Sequence, residues 1–266
     1  MECWMRRLMG VLVLATAAPA LAFEGEIEAK SIGDTSNGAV QLEIYVARNG
    51  DVRVDTSAKS SKGQANRASY IKPAKGKYDY ALDHDRKQAT KIPKDTITKM
   101  AQNQADKQKS NKANVEIKKL GTDTVAGQST RHLRVIDKDE GSTADLWLSD
   151  RYPARLWQKI FSFGGDGGKS PSSGWTEIME KEYGFKPGFV MKMLSKDKGG
   201  QQSGLEVFRM QEKKVAAGKF AVPPGYKVTE VPDMPEGMPN MKMPTTREEA
   251  EKMREEWMKK MQEQQR

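Results

Sequence analysis

The chain has 266 residues and a formal net charge of +9, with 30% charged and 7% aromatic residues. Its single cysteine, Cys3, lies ahead of an apolar leader, so the rest of the chain has no thiolate for a disulfide, an iron–sulfur cluster or a zinc site and depends on its core for stability. The basic surplus is dispersed along the sequence and not gathered on one element with interleaved aromatics, which argues against a nucleic-acid module.

At the N-terminus, Arg6 and Arg7 precede an apolar run over residues 8–18, and Ala20-Leu21-Ala22 closes it before Phe23. The run is too short to span a bilayer core and its end suits cleavage, so residues 1–22 read as a secretory signal peptide. Cleavage after Ala22 removes Glu2, Arg6 and Arg7, leaving 43 basic and 35 acidic residues, a net +8. The expected location is the periplasm or the exterior.

Residues 25–32 predict an edge strand. In residues 39–47 (AVQLEIYVA), Val40, Leu42, Ile44 and Val46 alternate with Gln41, Glu43 and Tyr45, the period of a strand with one apolar face. Asn49-Gly50 tolerates positive φ and predicts a tight hairpin. Val52 and Val54 continue on the partner strand, with Arg53 and Asp55 facing away. Residues 57–68 are polar and read as a loop. Three shorter strands follow over 69–72, 77–83 and 87–92, with Tyr78, Tyr80 and Leu82 on one face. From Pro93 to about residue 109 a polar helix carries a thin stripe of Ile97, Met100, Ala101 and Ala105, which suits the rim of a sheet. Residues 115–120 return to strand.

A β-meander comes next. In residues 130–136, Arg131, Leu133 and Val135 alternate with Thr130, His132, Arg134 and Ile136, and residues 137–141 supply a turn. Residues 142–149 set Ala144, Leu146 and Leu148 against Thr143, Asp145 and Trp147. Residues 154–163 are ambiguous between strand and short helix, 164–174 read as a flexible insertion, and 174–183 as a helix. Residues 188–196 and 204–211 form a last hairpin across Lys198-Gly199-Gly200, and FAVPPGY (220–226) closes the domain.

The TVAGQSTRHLRV segment at 124–135, leading into a DLWLS strand at 145–149 and followed by F-x-VPPGY at 220–226, resembles an exported bacterial family of unknown function. That family is similar in pattern to the LolA/LolB lipoprotein carriers. The resemblance spans residues 23–231 and implies a mainly β (α+β) fold: a curved antiparallel sheet forming a half-open barrel, with helices over the concave face. In the carriers that face holds acyl chains. No carrier-specific functional residue transfers by position, so the residues that would line a ligand site are not assigned.

FGGDGGKS at 163–170 fails as a phosphate loop, because Phe163 stands where the first glycine belongs and Pro171 follows where a helix would begin. His84 and His132 are the only histidines. His84 sits among Asp79, Asp83 and Asp85, read as a turn of solvated charges and not as a metal site, and His132 reads as a satisfied sheet residue. No G-x-S-x-G or H-E-x-x-H motif occurs, so neither catalysis nor a cofactor is expected.

The tail has the most unusual chemistry. A linker over 232–244 interleaves Met234, Met238, Met241 and Met243 with Pro235, Pro239 and Pro244. Thioethers are soft ligands that suit Cu(I) or Ag(I), although methionine more commonly supplies adaptable apolar contacts. Thr246-Arg247-Glu248-Glu249 is a capping box opening an amphipathic helix over 245–266, with Ala250, Met253, Trp257 and Met261 on one stripe. Such a helix suits a lid over the barrel mouth, an envelope protein partner or a membrane surface. The expected function is binding of a hydrophobic or lipid ligand outside the cytoplasm. Soft-metal binding by the tail methionines and scaffolding through the tail helix are the alternatives.

Overall fold

The computed structural model describes residues 23–33, 39–59, 65–97, 114–139, 141–161 and 187–230. In chain order these form β1 (Gly25–Gly33), β2 (Val40–Val46), β3 (Val52–Lys59), β4 (Ala65–Lys72), β5 (Tyr78–Asp83), β6 (Gln88–Pro93), β7 (Val115–Val125), β8 (Gln128–Asp137), β9 (Ser142–Pro153), helix α1 (Ala154–Phe161), β10 (Gly188–Lys196), β11 (Gln202–Glu212), a 3-10 turn (Ala217–Phe220) and β12 (Lys227–Glu230). Residues 94–97 begin a further helical turn after β6.

All twelve strands belong to one open, curved sheet in the order β12-β6-β5-β4-β3-β2-β1-β11-β10-β9-β8-β7. Two sequential antiparallel meanders, β1 to β6 and β7 to β11, are therefore joined side by side through β1 and β11. The expected curved, mainly antiparallel sheet is what the chain adopts, with one parallel pair, β12 against β6. All described residues lie in the unit that ends at Val231.

Three expectations change. First, β1 is a central strand and not an edge, because it pairs with β2 on one side and with β11 on the other. Ile27 and Ala29 are fully buried there, as a strand covered on one face and flanked on both sides requires. Second, the polar stretch 57–68 is strand at both ends, the end of β3 and the start of β4: Ser57 pairs with Arg67 and Ala58 with Asn66. Ladder hydrogen bonds come from the backbone, so polar side chains do not end a strand that has a neighbour on either side. Third, Tyr45 is buried although it lies on the face opposite to Ile44 and Val46, because the segment between β11 and β12 covers that face.

The ambiguous stretch after β9 resolves as helix. Leu156, Trp157, Ile160 and Phe161 recur one helical turn apart, and Leu156 and Ile160 are buried. Alternation predicts the buried Leu133 and Val135 of β8, but not that Leu133 packs with Leu148 apart from the main core while Trp147, expected on the opposite face of β9, joins that core. It overstated β2, where Ile44 and Val46 are buried but Val40 and Leu42 only half-buried.

Geometry demands glycine at several positions, Gly50 and Gly204 among them. Gly50 turns the β2–β3 hairpin with φ at 91°, and Asn49 Nδ2 donates to Asp51 Oδ2 at 2.9 Å beside it. At Gly204, where β11 meets β10, a Cβ atom would lie 2.1 Å from the Met193 carbonyl oxygen, so no other residue fits without moving the strands apart.

The β1–β11 seam carries a bulge between Glu28 and Ala29, opposite which Phe208 is left over and turned outward, 45% exposed. Ile27→Ala is expected to cost about 2–5 kcal/mol, as for other large-to-small changes in full cores, and Phe208→Ala less than about 0.5 kcal/mol. Chemical denaturation of the two variants checks this contrast.

Candidate functional site

Cross-strand partners project to the same side of a sheet, so the register maps each face. Ile27 opposes Ile44, Ile44 opposes Val54, and Val46 opposes Val52. This apolar surface is covered by α1: Leu156 and Ile160 join Ile27, Ile44, Val46, Val52, Val54, Phe189 and Val207 in the main core. Trp157 packs edge-on to Phe189 with ring centroids 5.8 Å apart and tilts over Phe161 at 4.1 Å. Around this centre, Leu42, Trp157, Phe161, Leu194, Leu205 and Met210 are only half-buried. A two-turn helix is marginal by itself and is held here by its apolar contacts.

The same face turns polar one strand further on. Val54 opposes Tyr70 and Val52 opposes Lys72, placing a phenol and an ammonium beside the apolar floor. Lys72 Nζ donates to the Lys159 carbonyl near the end of α1 at 2.9 Å, where the helix dipole is negative. The Tyr70 hydroxyl donates to Asp79 Oδ2 at 3.1 Å. Asp79 is almost wholly buried, and Lys94 Nζ lies 4.0 Å from its Oδ1 and donates to the Pro73 carbonyl at 2.5 Å. The Ala74 N–H donates to Asp51 Oδ1 at 2.7 Å, anchoring the adjoining turn. Burial foremost, and the Asp79 carboxylate after it, push the Tyr70 phenol far above the ordinary tyrosine range.

The opposite face holds a second network. Tyr45 opposes Arg53, Arg53 opposes Ile71, and Ser69 opposes Leu82. Residues 213–226 run from the end of β11 to β12 and cover this side: Phe220, Val222 and Tyr226 pack on Ile71, Leu82 and Ala89. Arg53 Nη1 donates to the Lys219 carbonyl at 3.0 Å, and Lys219 Nζ stands 4.3 Å from the Tyr45 ring centroid. Arg53 Nε and the Ser69 hydroxyl both donate to Asp55 Oδ1, each at 2.5 Å.

His84, read from sequence as part of a solvated turn, joins this network. Its Nε2 is 2.5 Å from Ser69 Oγ and its Nδ1 is 2.6 Å from the Tyr226 hydroxyl. Because the one Ser69 proton goes to Asp55, His84 Nε2 must carry a hydrogen and donate it to Ser69. A chain of hydrogen bonds thus ties the closing FAVPPGY segment to β3 and β4. Histidine in a turn of three aspartates gave no hint of this, since Ser69 and Tyr226 are remote in sequence. Of the three aspartates, Asp83 and Asp85 stay at the turn, where Asp83 Oδ1 accepts from the N–H groups of Asp85 and Arg86, whereas Asp79 lies within β5 and is almost wholly buried, contrary to its reading as a solvated turn charge.

His132 stacks on Trp147 with centroids 4.1 Å apart and an interplanar angle of 13°. Trp147 Nε1 donates to Asp123 Oδ2 at 3.1 Å, and Arg134 grips Asp145 through two bonds of 2.7 and 2.8 Å. The Thr124 N–H, and then the Trp147 indole, hold the Asp123 carboxyl below its usual range. His132 Nε2 is a buried atom with no hydrogen-bond partner, so this histidine is stacked rather than fully satisfied. Among the described residues no group of three or more histidine, cysteine, aspartate or glutamate side chains is arranged to hold a metal ion. Nor is any helix among them long and apolar enough to cross a membrane. Met234, Met238, Met241, Met243, Met253, Trp257 and Met261, the glycine-rich segment at 163–170 and the leader all lie outside the described residues.

The architecture is that of an open, curved β-sheet whose apolar face is covered by a short helix. The chain belongs to the DUF4412 family, described as a domain of unknown function, whose model matches residues 23–226. Comparison with curated proteins finds no match. Among solved structures, the chain is similar to an uncharacterized conserved protein from Thermus thermophilus, at 9% identity and a TM-score of 0.43, covering 78% of this chain and 91% of the other. It is similar also to the Pseudomonas aeruginosa MucA/MucB complex structure, at 12% identity and a TM-score of 0.41, where the match covers 78% of this chain but 59% of the other. A third similar structure is LprF from Mycobacterium bovis, at 10% identity and a TM-score of 0.33, covering 77% of this chain and 90% of that one.

Burial raises the pKa of Tyr45, Tyr70 and Tyr152, helped by the neighbouring carboxylates Glu43, Asp79 and Glu212 respectively. A group whose pKa is higher folded than unfolded contributes stability that is complete below the unfolded value, about 10 for tyrosine, and is lost as pH rises past it. Thermal melts should therefore fall steeply above about pH 10, and less steeply in Tyr70→Phe. Equal slopes in the two proteins would contradict the assignment.

Proposed function

We propose that this chain is an exported, non-catalytic binding protein for an apolar or amphipathic ligand such as a lipid or a lipoprotein acyl chain. The observation that carries the reading is the half-covered apolar face: one short helix closes its centre, while Leu42, Leu205 and their neighbours remain half-buried around it. A sheet that does not close on itself leaves such a face to be covered by something, and a large partly exposed apolar surface marks a ligand or partner site. The leader in the sequence supports export, and the resemblance to the lipoprotein carriers supports the ligand class.

The contact between Ser69 and His84 supports binding over catalysis. Ser69 is 4% exposed, and its proton is engaged by Asp55 and not by His84. A serine nucleophile needs access to substrate, which the buried Ser69 lacks.

The uncharged probe N-phenyl-1-naphthylamine tests the reading. It should gain fluorescence with the intact protein, and Leu42→Gln combined with Leu205→Gln should weaken its binding by about tenfold, roughly 1.4 kcal/mol, with the circular-dichroism spectrum unchanged. A parent protein that leaves the probe dark, or a double variant that binds it equally well, would contradict the reading.

A further inference from the structure

The chain just ahead of β1 is held as firmly as the strand itself. Phe23 is 1% exposed and belongs to the main core, where its ring meets Tyr152 of β9 edge-on with centroids 5.3 Å apart. Gly25 makes room for that ring: a Cβ there would lie 2.9 Å from Phe23 Cζ. Glu24 is tied to the segment that follows β11. Its carbonyl accepts from the Lys213 N–H at 3.1 Å and its Oε1 from the Val215 N–H at 3.4 Å, while Arg48 Nε lies 3.8 Å from its Oε2. Residues 23 and 24 are thus clasped between the end of β9 and the start of the covering segment.

In the sequence the same two residues follow the leader directly, since Ala20-Leu21-Ala22 is the cleavage pattern and Phe23 the first residue beyond it. Hydrolysis of the Ala22–Phe23 amide by water breaks its C–N bond and leaves a carboxylate on Ala22 and an ammonium on Phe23. A peptidase must hold the chain on both sides of the bond it cuts, and in a folded substrate it reaches that bond only through states in which the segment has opened. Opening here withdraws a phenylalanine from the core and breaks the hydrogen bonds to Glu24. The folded domain is a poor substrate for removal of its own leader.

We infer that the leader is cut from the unfolded chain, before β1 is seated between β2 and β11, and that burial of Phe23 then closes the domain around the new N-terminus. The order is export in an unfolded state, hydrolysis after Ala22, and folding outside the cytoplasm. The inference rests on the export reading above and adds the sequence of events. Phe23 has two successive roles, first as the residue beyond the scissile bond and then as a core side chain. Because β1 is central in the sheet, the whole domain waits on that release.

The full-length precursor, purified in urea, and a leader peptidase in detergent micelles test the order. Precursor diluted from urea straight into the peptidase should lose its leader, seen by mass spectrometry as a chain beginning at Phe23. Precursor allowed to refold before the peptidase is added should be cut at least about tenfold more slowly, with circular dichroism in the same micelles showing the sheet formed. Phe23→Ala keeps a cleavable bond but takes the ring out of the core, so the refolded variant should be cut faster than the refolded parent, while the two are cut alike when freshly diluted. A refolded parent cut as fast as the freshly diluted one overturns the inference and leaves the export reading standing. Protection that persists unchanged in refolded Phe23→Ala overturns the role assigned to Phe23. A precursor cut in neither state, or cut elsewhere than after Ala22, overturns the export reading itself. Because the refolded and diluted arms use only the parent, the order is tested even if Phe23→Ala does not fold.

Discussion

The antiparallel seam between β1 and β11 makes one sheet out of two meanders. Gly25 pairs with Glu212 and Gly33 with Ser203, residues far apart in sequence, so the seam closes only after nearly the whole domain has been made and carries the entropic cost of that long loop. Its stability comes from packing: Ile27, Ala29 and Val207 are fully or almost fully buried. Once it forms, β11 delivers the chain to the middle of the sheet, and residues 213–226 must cross the outer face of the first meander to reach β6. The covering segment, the burial of Tyr45 and the hydrogen-bond chain through His84 all follow from that route.

On the other face the register decides chemistry. The pairing of Val52 with Lys72 and of Val54 with Tyr70 converts an apolar surface into a polar one across a single inter-strand spacing. A shift of one residue in β4 would send Lys72 and Tyr70 to the outer face and bring Ile71 inward. Ile71 is instead fully buried under Phe220 and Tyr226, so the packing of the closing segment on one face fixes the polar cluster on the other.

Local signals in the sequence were read well where the determinants are local. Asn49-Gly50 marks a hairpin because its turn needs positive φ, and the alternation of Leu133 and Val135 marks a strand with one apolar face because the period of a strand is two, though the main core lies on the other face, with Trp147. What could not be read depends on long-range partners. Nothing in residues 25–33 distinguishes a central strand from an edge one until β11 is known to lie beside it. Tyr45 looks outward-facing until Lys219 is placed over its ring. The candidate site was the least legible part: Lys72, Tyr70, Asp79 and Lys94 come from two strands and a helical turn, are spaced without any motif, and look like ordinary surface residues of a basic protein. The family pattern gave the sheet and its curvature, which are written in turns and alternation, but no site residue.

The central claim is that the face beneath α1 holds an apolar or amphipathic molecule. Native mass spectrometry of the protein purified from its own cell envelope addresses this most directly. A population heavier than the polypeptide by the mass of one acyl-chain-bearing molecule, lost on extraction with organic solvent, is the predicted result. Protein of polypeptide mass alone, with no acyl-chain compound in the extract, would contradict the account.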